Sequence, residues 1–287
     1  MWTADKLVYR GEDDFVRAYQ GSELVWYRDR NKIFYTSTDD QVVTPNDSSG
    51  FGSRIVSNTY SGGQGIIVCE RPITTIGRSV FNNCSTLESI IIPEGVVDIQ
   101  SWAFADTSLS SITIPSTVDL IYGEAFQYVK TPVTVTISPY NTRYKDYGTN
   151  GIYETVNNRL TLYQGFVNTV IYSDTLDISA GAFRWYDNMT SKLIPQGVNT
   201  LENYCFEYTG LVNVSIPSSV SYIGLRAFGD CSSLTEVRVA ATVPPSASKY
   251  MFENTPSNMI IKVPHSSLQY YLTADGWREY ASQIVDM

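Results

Sequence analysis

The sequence predicts a β-rich α/β solenoid, a right-handed stack of short repeats with parallel strands on one side and short helical or 3-10 segments on the convex return. Three observations carry this prediction. Phenylalanine recurs at Phe81, Phe104, Phe126, Phe183, Phe206, Phe228 and Phe252, at intervals of 23, 22, 57, 23, 22 and 24 residues. A proline stands eleven residues before four of these rings, at Pro93, Pro115, Pro195 and Pro217, and Tyr172 takes that place before Phe183. Alternating apolar residues precede each proline. A period this short means that each unit buries its apolar side only by stacking on its neighbours.

Residues 1–35 come first and are not repeat. The stretch "KLVYRGEDDFVRAYQGSELVWYRD" places Tyr9 before Gly11 and Tyr19 before Gly21, among β-branched and aromatic residues. This predicts a small N-terminal β module of short strands and glycine turns, serving either as a cap on the stack or as an attachment point. Residues 36–66 are rich in Ser, Thr, Asn, Asp and Gly and read as a linker with the first strands.

Residues 67–242 carry the repeats. In the unit from Leu109 to Phe126, Leu109, Ile112 and Ile114 alternate with Ser and Thr, the mark of a strand with one buried face. Pro115 ends it, because proline cannot donate to a ladder. Val118 and Ile121 follow, and Ala125-Phe126 sets one small and one large side chain inward. The same offsets predict parallel strands at 87–92, 109–114, 133–137, 211–216 and 234–239. The core column is assigned to Phe81, Phe104, Phe126, Phe183, Phe206 and Phe228. The residue between the last two apolar positions points outward, giving the row Ile91, Thr113, Thr136, Ser215 and Arg238.

The 57-residue interval holds an insert at about 139–171, with Tyr140, Tyr144, Tyr147, Tyr153, Tyr163 and Phe166. Its Asn-Gly, Tyr-Gly and Asn-Asn pairs predict hairpins. Insertions in repeat proteins map to loops, often on the binding face. The candidate ligand-binding residues are therefore Tyr144, Tyr147, Tyr153, Trp185 and Tyr186. The alternative is that these rings pack the hairpin onto the stack. Residues 243–287 read as a last repeat and a C-terminal cap.

The pattern L-x-x-I-x-I-P-x-x-V-x-x-I-x-x-x-A-F-x-x-C-x-x-L resembles the BspA-like (Treponema pallidum type) leucine-rich repeats. The stretches "SSITIPSTVDLIYGEAF", "VNVSIPSSVSYIGLRAFGDCSSLTEVRV" and "TTIGRSVFNNCSTLESIIIP" carry the likeness, and "VPHSSLQYYLTADGWREYASQI" resembles the family's C-terminal unit. The resemblance covers residues 67 to 287. It implies a leucine-rich-repeat solenoid serving as a non-catalytic recognition or adhesion scaffold at a bacterial surface. The Y-x-G-S-x-x-V-W pattern near the N-terminus is similar to modules of gut-bacterial prophage and phage proteins, which implies the alternative of a tail-associated virion component.

Composition narrows the function classes. The net charge of −9 and the lack of a basic stripe argue against nucleic-acid binding. Tyrosine is abundant, at 21 residues, and suits recognition surfaces. No apolar run is long enough to span a membrane. The start "MWTADKLVYRGEDD" lacks the form of a signal peptide, so an extracellular or surface location requires a leader removed upstream of Met1; otherwise a virion-associated or cytoplasmic site is expected. Cys84 and Cys231 follow repeat phenylalanines by three residues, Cys205 replaces the small residue before Phe206, and Cys69 lies in an apolar run. All four are expected free and buried. His265 is the sole histidine and stands in a turn context, and no catalytic, metal-binding or phosphate-cradling motif is present. The expectation is no enzyme, no cofactor and no metal, with a protein or carbohydrate partner.

Overall fold

The computed structural model describes residues 16–20, 23–27, 30–129 and 131–287. Strands β1 (Val16–Gln20) and β2 (Glu23–Tyr27) form an antiparallel pair. The Tyr9-Gly11 step and the turn at Gly21 lie outside the described residues. Among the described residues the chain forms a β-solenoid of about nine turns. It divides into two compact units, Met1–Asp146 and Tyr147–Met287.

In the first unit, β3 (Lys32–Ser37), β4 (Ile55–Ser61), β5 (Gln64–Cys69), β6 (Leu87–Ile91), β7 (Ser111–Ile114) and β8 (Thr134–Ile137) form one sheet in the order β8-β7-β6-β3-β5-β4. Strands β6, β7 and β8 are parallel and in register, with Ile90 beside Ile112 and Ile112 beside Val135. This is the arrangement expected when successive turns stack through identical offsets. Ahead of the first repeat strand the sheet turns antiparallel, because β3 pairs with both β6 and β5. A second ladder of two-residue strands joins Ile76, Ile99 and Ile121, the apolar positions after the prolines.

The phenylalanines stack between these ladders. Phe81, Phe104 and Phe126 lie 5.6 and 5.5 Å apart with their ring planes nearly parallel, and Phe51 covers the first ring at 5.8 Å. Backbone bonds from Phe81 N to Ala103 O and from Phe104 N to Ala125 O hold the rings one turn apart. The return segments are turns. They place the residues two before and two after each ring in left-handed conformation, as at Trp102 (φ 64°), Asp106 (φ 55°), Glu124 (φ 68°) and Tyr128 (φ 61°). That conformation costs a non-glycine residue about 1–2 kcal/mol, which the ring stack and the backbone ladder must offset.

The second unit opens with a hairpin of β9 (Ile152–Val156) and β10 (Arg159–Gln164). Its turn residues Asn157 and Asn158 have φ of 51° and 61°, the conformation a two-residue hairpin demands. Gly165 follows, and a Cβ there would lie 2.1 Å from the Phe183 ring, so the hairpin exit sits directly on the aromatic column. Phe183, Phe206, Phe228 and Phe252 stack at 5.1, 5.3 and 5.5 Å. Strands β11 (Asn213–Ile216), β12 (Glu236–Val239), β13 (Ile260–Val263) and β14 (Ile284–Asp286) form its parallel sheet. Helix α1 (Leu268–Thr273) and two 3-10 turns lie between β13 and β14, and Trp277 and Tyr280 meet Phe252 edge-on. Trp277 Nε1 donates to Pro245 O, and the Tyr271 hydroxyl donates to Ala241 O.

One repeat departs from the pattern. No strand forms at Ser191–Ile194, the segment ahead of Pro195. Lys192 stands where Val214, Val237 and Ile261 point inward in the following turns. Its ammonium donates to Val167 O (3.0 Å) and Thr169 O (2.8 Å) and lies 4.9 Å from the centre of the Phe183 ring. Burial lowers its pKa from 10.5 to about 8.

Candidate functional site

The insert and the turns that follow it build the most distinctive surface of the second unit. Tyr153, on β9, is fully buried. Its hydroxyl accepts from Thr149 Oγ1 (2.9 Å) and Tyr172 N (3.0 Å), and donates to Val170 O (3.3 Å). Burial raises the pKa of this hydroxyl. Tyr147, left-handed at φ 50°, stacks on Tyr172 at 4.6 Å and meets Tyr153 edge-on at 5.4 Å. It remains 44% exposed.

The five candidate residues separate into two groups. Tyr144, Tyr153 and Tyr186 are fully buried, so their reading as ligand-facing rings is corrected. Tyr144, in the first unit, accepts the Ile121 N–H at its hydroxyl and donates its backbone N–H to Asn141 Oδ1. Tyr186 lies wholly inside, and its hydroxyl pKa is raised by desolvation. The Tyr144 and Tyr153 phenols satisfy backbone groups and the Tyr186 phenol bonds the Gln164 side chain, uses that a list of tyrosines does not reveal. Tyr147 and Trp185 keep surface. Trp185 stacks on Tyr208 at 3.8 Å, with the Arg184 guanidinium 5.1 Å from its ring. Its ring neighbour thus belongs to the turn ladder, whereas those of Tyr147 are Tyr153 of the insert and Tyr172 at the start of the next repeat.

Two residues missed in the sequence reading complete the surface. Val170 is 69% exposed and Leu193 is 79% exposed. They stand two residues before Tyr172 and Pro195, the offset that defines the outward row, and that offset was the signal available. Val170 N donates to Thr149 O, and the Lys192 ammonium bonds Thr169 O, so Tyr147, Val170 and Leu193 lie on neighbouring segments. Further along the row come Ser215, Arg238 and Lys262. Glu236 joins the last two, accepting from Arg238 Nε (2.5 Å) and Lys262 Nζ (2.7 Å). These two hydrogen bonds lower the Glu236 pKa. The row therefore runs from an aliphatic step into a charge-paired strip.

Other groups are built differently. All four cysteines are free and buried. Desolvation raises Cys69, Cys84 and Cys231 to about 11 and holds Cys205 well above its ordinary value. Thiols so placed are poor nucleophiles at neutral pH. His265 Nδ1 lies 2.5 Å from Asp286 Oδ2 on an exposed edge. Among the described residues no cluster of His, Cys, Asp and Glu could hold a metal ion, and no helix is long and apolar enough to cross a membrane.

Comparison with known proteins matches this architecture. A search of curated proteins found no match. A leucine-rich repeat protein from Eubacterium ventriosum shares the fold with a TM-score of 0.50 and 21% identity, over 68% of this chain and 64% of that one. The pneumococcal vaccine antigen PcpA aligns at 15% identity and TM-score 0.46, over 75% of this chain and 64% of its own. A leucine-rich cell surface protein from Faecalibacterium prausnitzii aligns at 17% identity and TM-score 0.38, over 72% and 61%. The chain spans less than two thirds of each of these proteins. The profile of the BspA type leucine rich repeat region matches six copies over residues 31–150 and 155–272, and with most of its length so matched the chain belongs to that repeat family.

Proposed function

We propose that this chain is a non-catalytic recognition scaffold at a bacterial surface, and that it docks a protein partner on the aliphatic step formed by Val170 and Leu193 beside Tyr147. The observation that carries the reading is the exposure of Val170 and Leu193, at 69% and 79%, on adjacent turns. Contiguous exposed apolar side chains on a rigid scaffold mark interaction sites. Aromatic residues at the centre of such a patch supply much of the binding energy. An aliphatic step favours a protein over a carbohydrate, since sugar rings stack on open aromatic faces and one face of the Tyr147 ring is taken by Tyr172. The paired Arg238, Glu236 and Lys262 form a polar rim. The comparisons lend no support to the virion alternative.

The test is adhesion of the labelled chain to immobilised surface proteins of candidate target cells, using Leu193→Asp and Tyr147→Ala. Val243→Asp, at another exposed aliphatic residue, serves as the control. Loss of adhesion in the first two with retention in the third is the expected result. Equal loss in all three would reduce the effect to general stickiness, and retention in all three would remove the site. Protease accessibility of the chain on intact cells tests the surface location.

A further inference from the structure

The edge strand of the first unit offers a second contact surface. Strand β4 is the last strand of its sheet, and among the described residues no strand pairs with its outer side. It is seven residues long, and its sequence IVSNTYS has no charge and no proline. Proteins ordinarily guard an exposed edge with lysine, proline, a bulge or a short strand. The C-terminal edge strand β14 follows that habit, with three residues and a charged Asp286. In β4 the one irregularity lies between Ile55 and Ser57, so Ser57–Ser61 is left as a regular edge.

This window is held rigid from behind. Asn58 accepts the Tyr35 hydroxyl (2.9 Å) and donates to Val43 O (2.8 Å). The Tyr60 hydroxyl donates to Asp40 Oδ1 (3.2 Å) and accepts Ser37 N (3.4 Å). Ser57, Thr59 and Ser61 turn to the other face and are exposed.

The turn determines which backbone groups are open. Ser61 pairs with Gln64 across Gly62-Gly63, both left-handed at φ 59° and 80°. In a two-residue hairpin the flanking pair exchanges both hydrogen bonds, and bonded pairs then alternate. Ser61, Thr59 and Ser57 therefore bond to β5. The N–H and C=O groups of Asn58 and Tyr60 point to the open edge.

We propose that β4 is a self-association edge, pairing antiparallel with β4 of a second copy of this chain about a two-fold axis at Thr59. In that register Asn58 meets Tyr60 of the second copy, and the reverse, so all four open backbone groups bond. Thr59 faces its own copy, and Ser57 faces Ser61, as close non-bonded pairs of small hydroxylated side chains that suit cross-strand contact. Centring the axis on Asn58 would bring the Val56 irregularity into the ladder. The window is thus self-complementary in hydrogen bonding, size and charge. This surface is independent of the Val170–Leu193 step.

The experiment is sedimentation velocity of the full chain over a concentration series, alone and as Thr59→Lys and Thr59→Glu variants. Thr59 is exposed and bonds to β5 only through its backbone, so both variants keep the fold, which their thermal melts check. The expected result is a reversible wild-type dimer, self-association weakened at least about tenfold in each variant by like-charge contact, and recovery of the dimer in an equimolar mixture of the two. A wild type that stays monomeric throughout, a dimer that survives Thr59→Lys, or a mixture that fails to recover would each overturn the proposal. A monomeric chain that instead binds a Ser/Thr-rich strand peptide would also overturn it, assigning the edge to another protein.

Discussion

Replacing Lys192 by methionine tests how a repeat core accommodates a charge. The lysine occupies an inward strand position, its ammonium held by Val167 O and Thr169 O over the Phe183 ring. Burial lowers its pKa from 10.5 to about 8. Taken whole, that fall corresponds to about 3 kcal/mol. The side chain keeps some solvent contact, and screening reduces the expected figure to about 1–2 kcal/mol. The sign follows from proton counting. Between pH 8 and 10.5 the unfolded chain holds the proton that the folded chain has released, so this lysine makes stability rise with pH across that window. Lys192→Met removes the effect and also leaves two carbonyls without their donor, at a cost of about 1–3 kcal/mol that does not vary with pH. The informative quantity is therefore the difference between wild type and variant, measured by urea unfolding at several pH values between 7 and 10. Tyrosine and cysteine ionisation cancels in that difference. The wild type should gain about 1–2 kcal/mol on the variant across the window. A difference that stays flat, or moves the other way, would refute the placement of a charged amine in the core.

Further outcomes follow from the same packing. Phe206→Ala, between Phe183 and Phe228, should cost about 3–5 kcal/mol in chemical denaturation, and a loss below about 1.5 kcal/mol would deny that the column is close-packed. Thiol titration should find few reactive cysteines in the native chain and four after denaturation without reductant; two fewer would reveal a disulfide. Tyr153→Phe should cost about 1–3 kcal/mol, since Tyr172 N loses its acceptor; an unchanged midpoint would show that water replaces the phenol. His265→Ala should stay within about 0.5 kcal/mol of wild type, as an exposed substitution does, and a loss above about 2 kcal/mol would give its contact with Asp286 a structural role.

The repeat class was legible because a stack must use the same offsets in every turn. The interval between phenylalanines and the proline eleven residues ahead are one-dimensional shadows of a period in space, and positions such as Ile90, Ile112 and Val135 meet in register because they share an offset. The buried state of Cys84, Cys205 and Cys231 followed from the same register. The family resemblance rested on those positions too.

What only the tertiary structure decided lies where the period breaks. Composition could not separate Tyr147 from Tyr144, Tyr153 and Tyr186, because exposure depends on which backbone groups need a partner, and that is set by chain segments brought together from a distance. The outward row was countable, yet it became a candidate site only when Val170 and Leu193 proved exposed beside Tyr147. Lys192 reads as an ordinary surface lysine until its offset is matched to Val214 and its amine is found on the carbonyls of the insert. The open edge at β4 was hidden by polar composition that resembles a linker. A sequence records what each turn shares with the next; where an insert, a cap or an edge replaces a neighbouring turn, packing and hydrogen-bond satisfaction between distant residues determine which side chains are free to meet a partner.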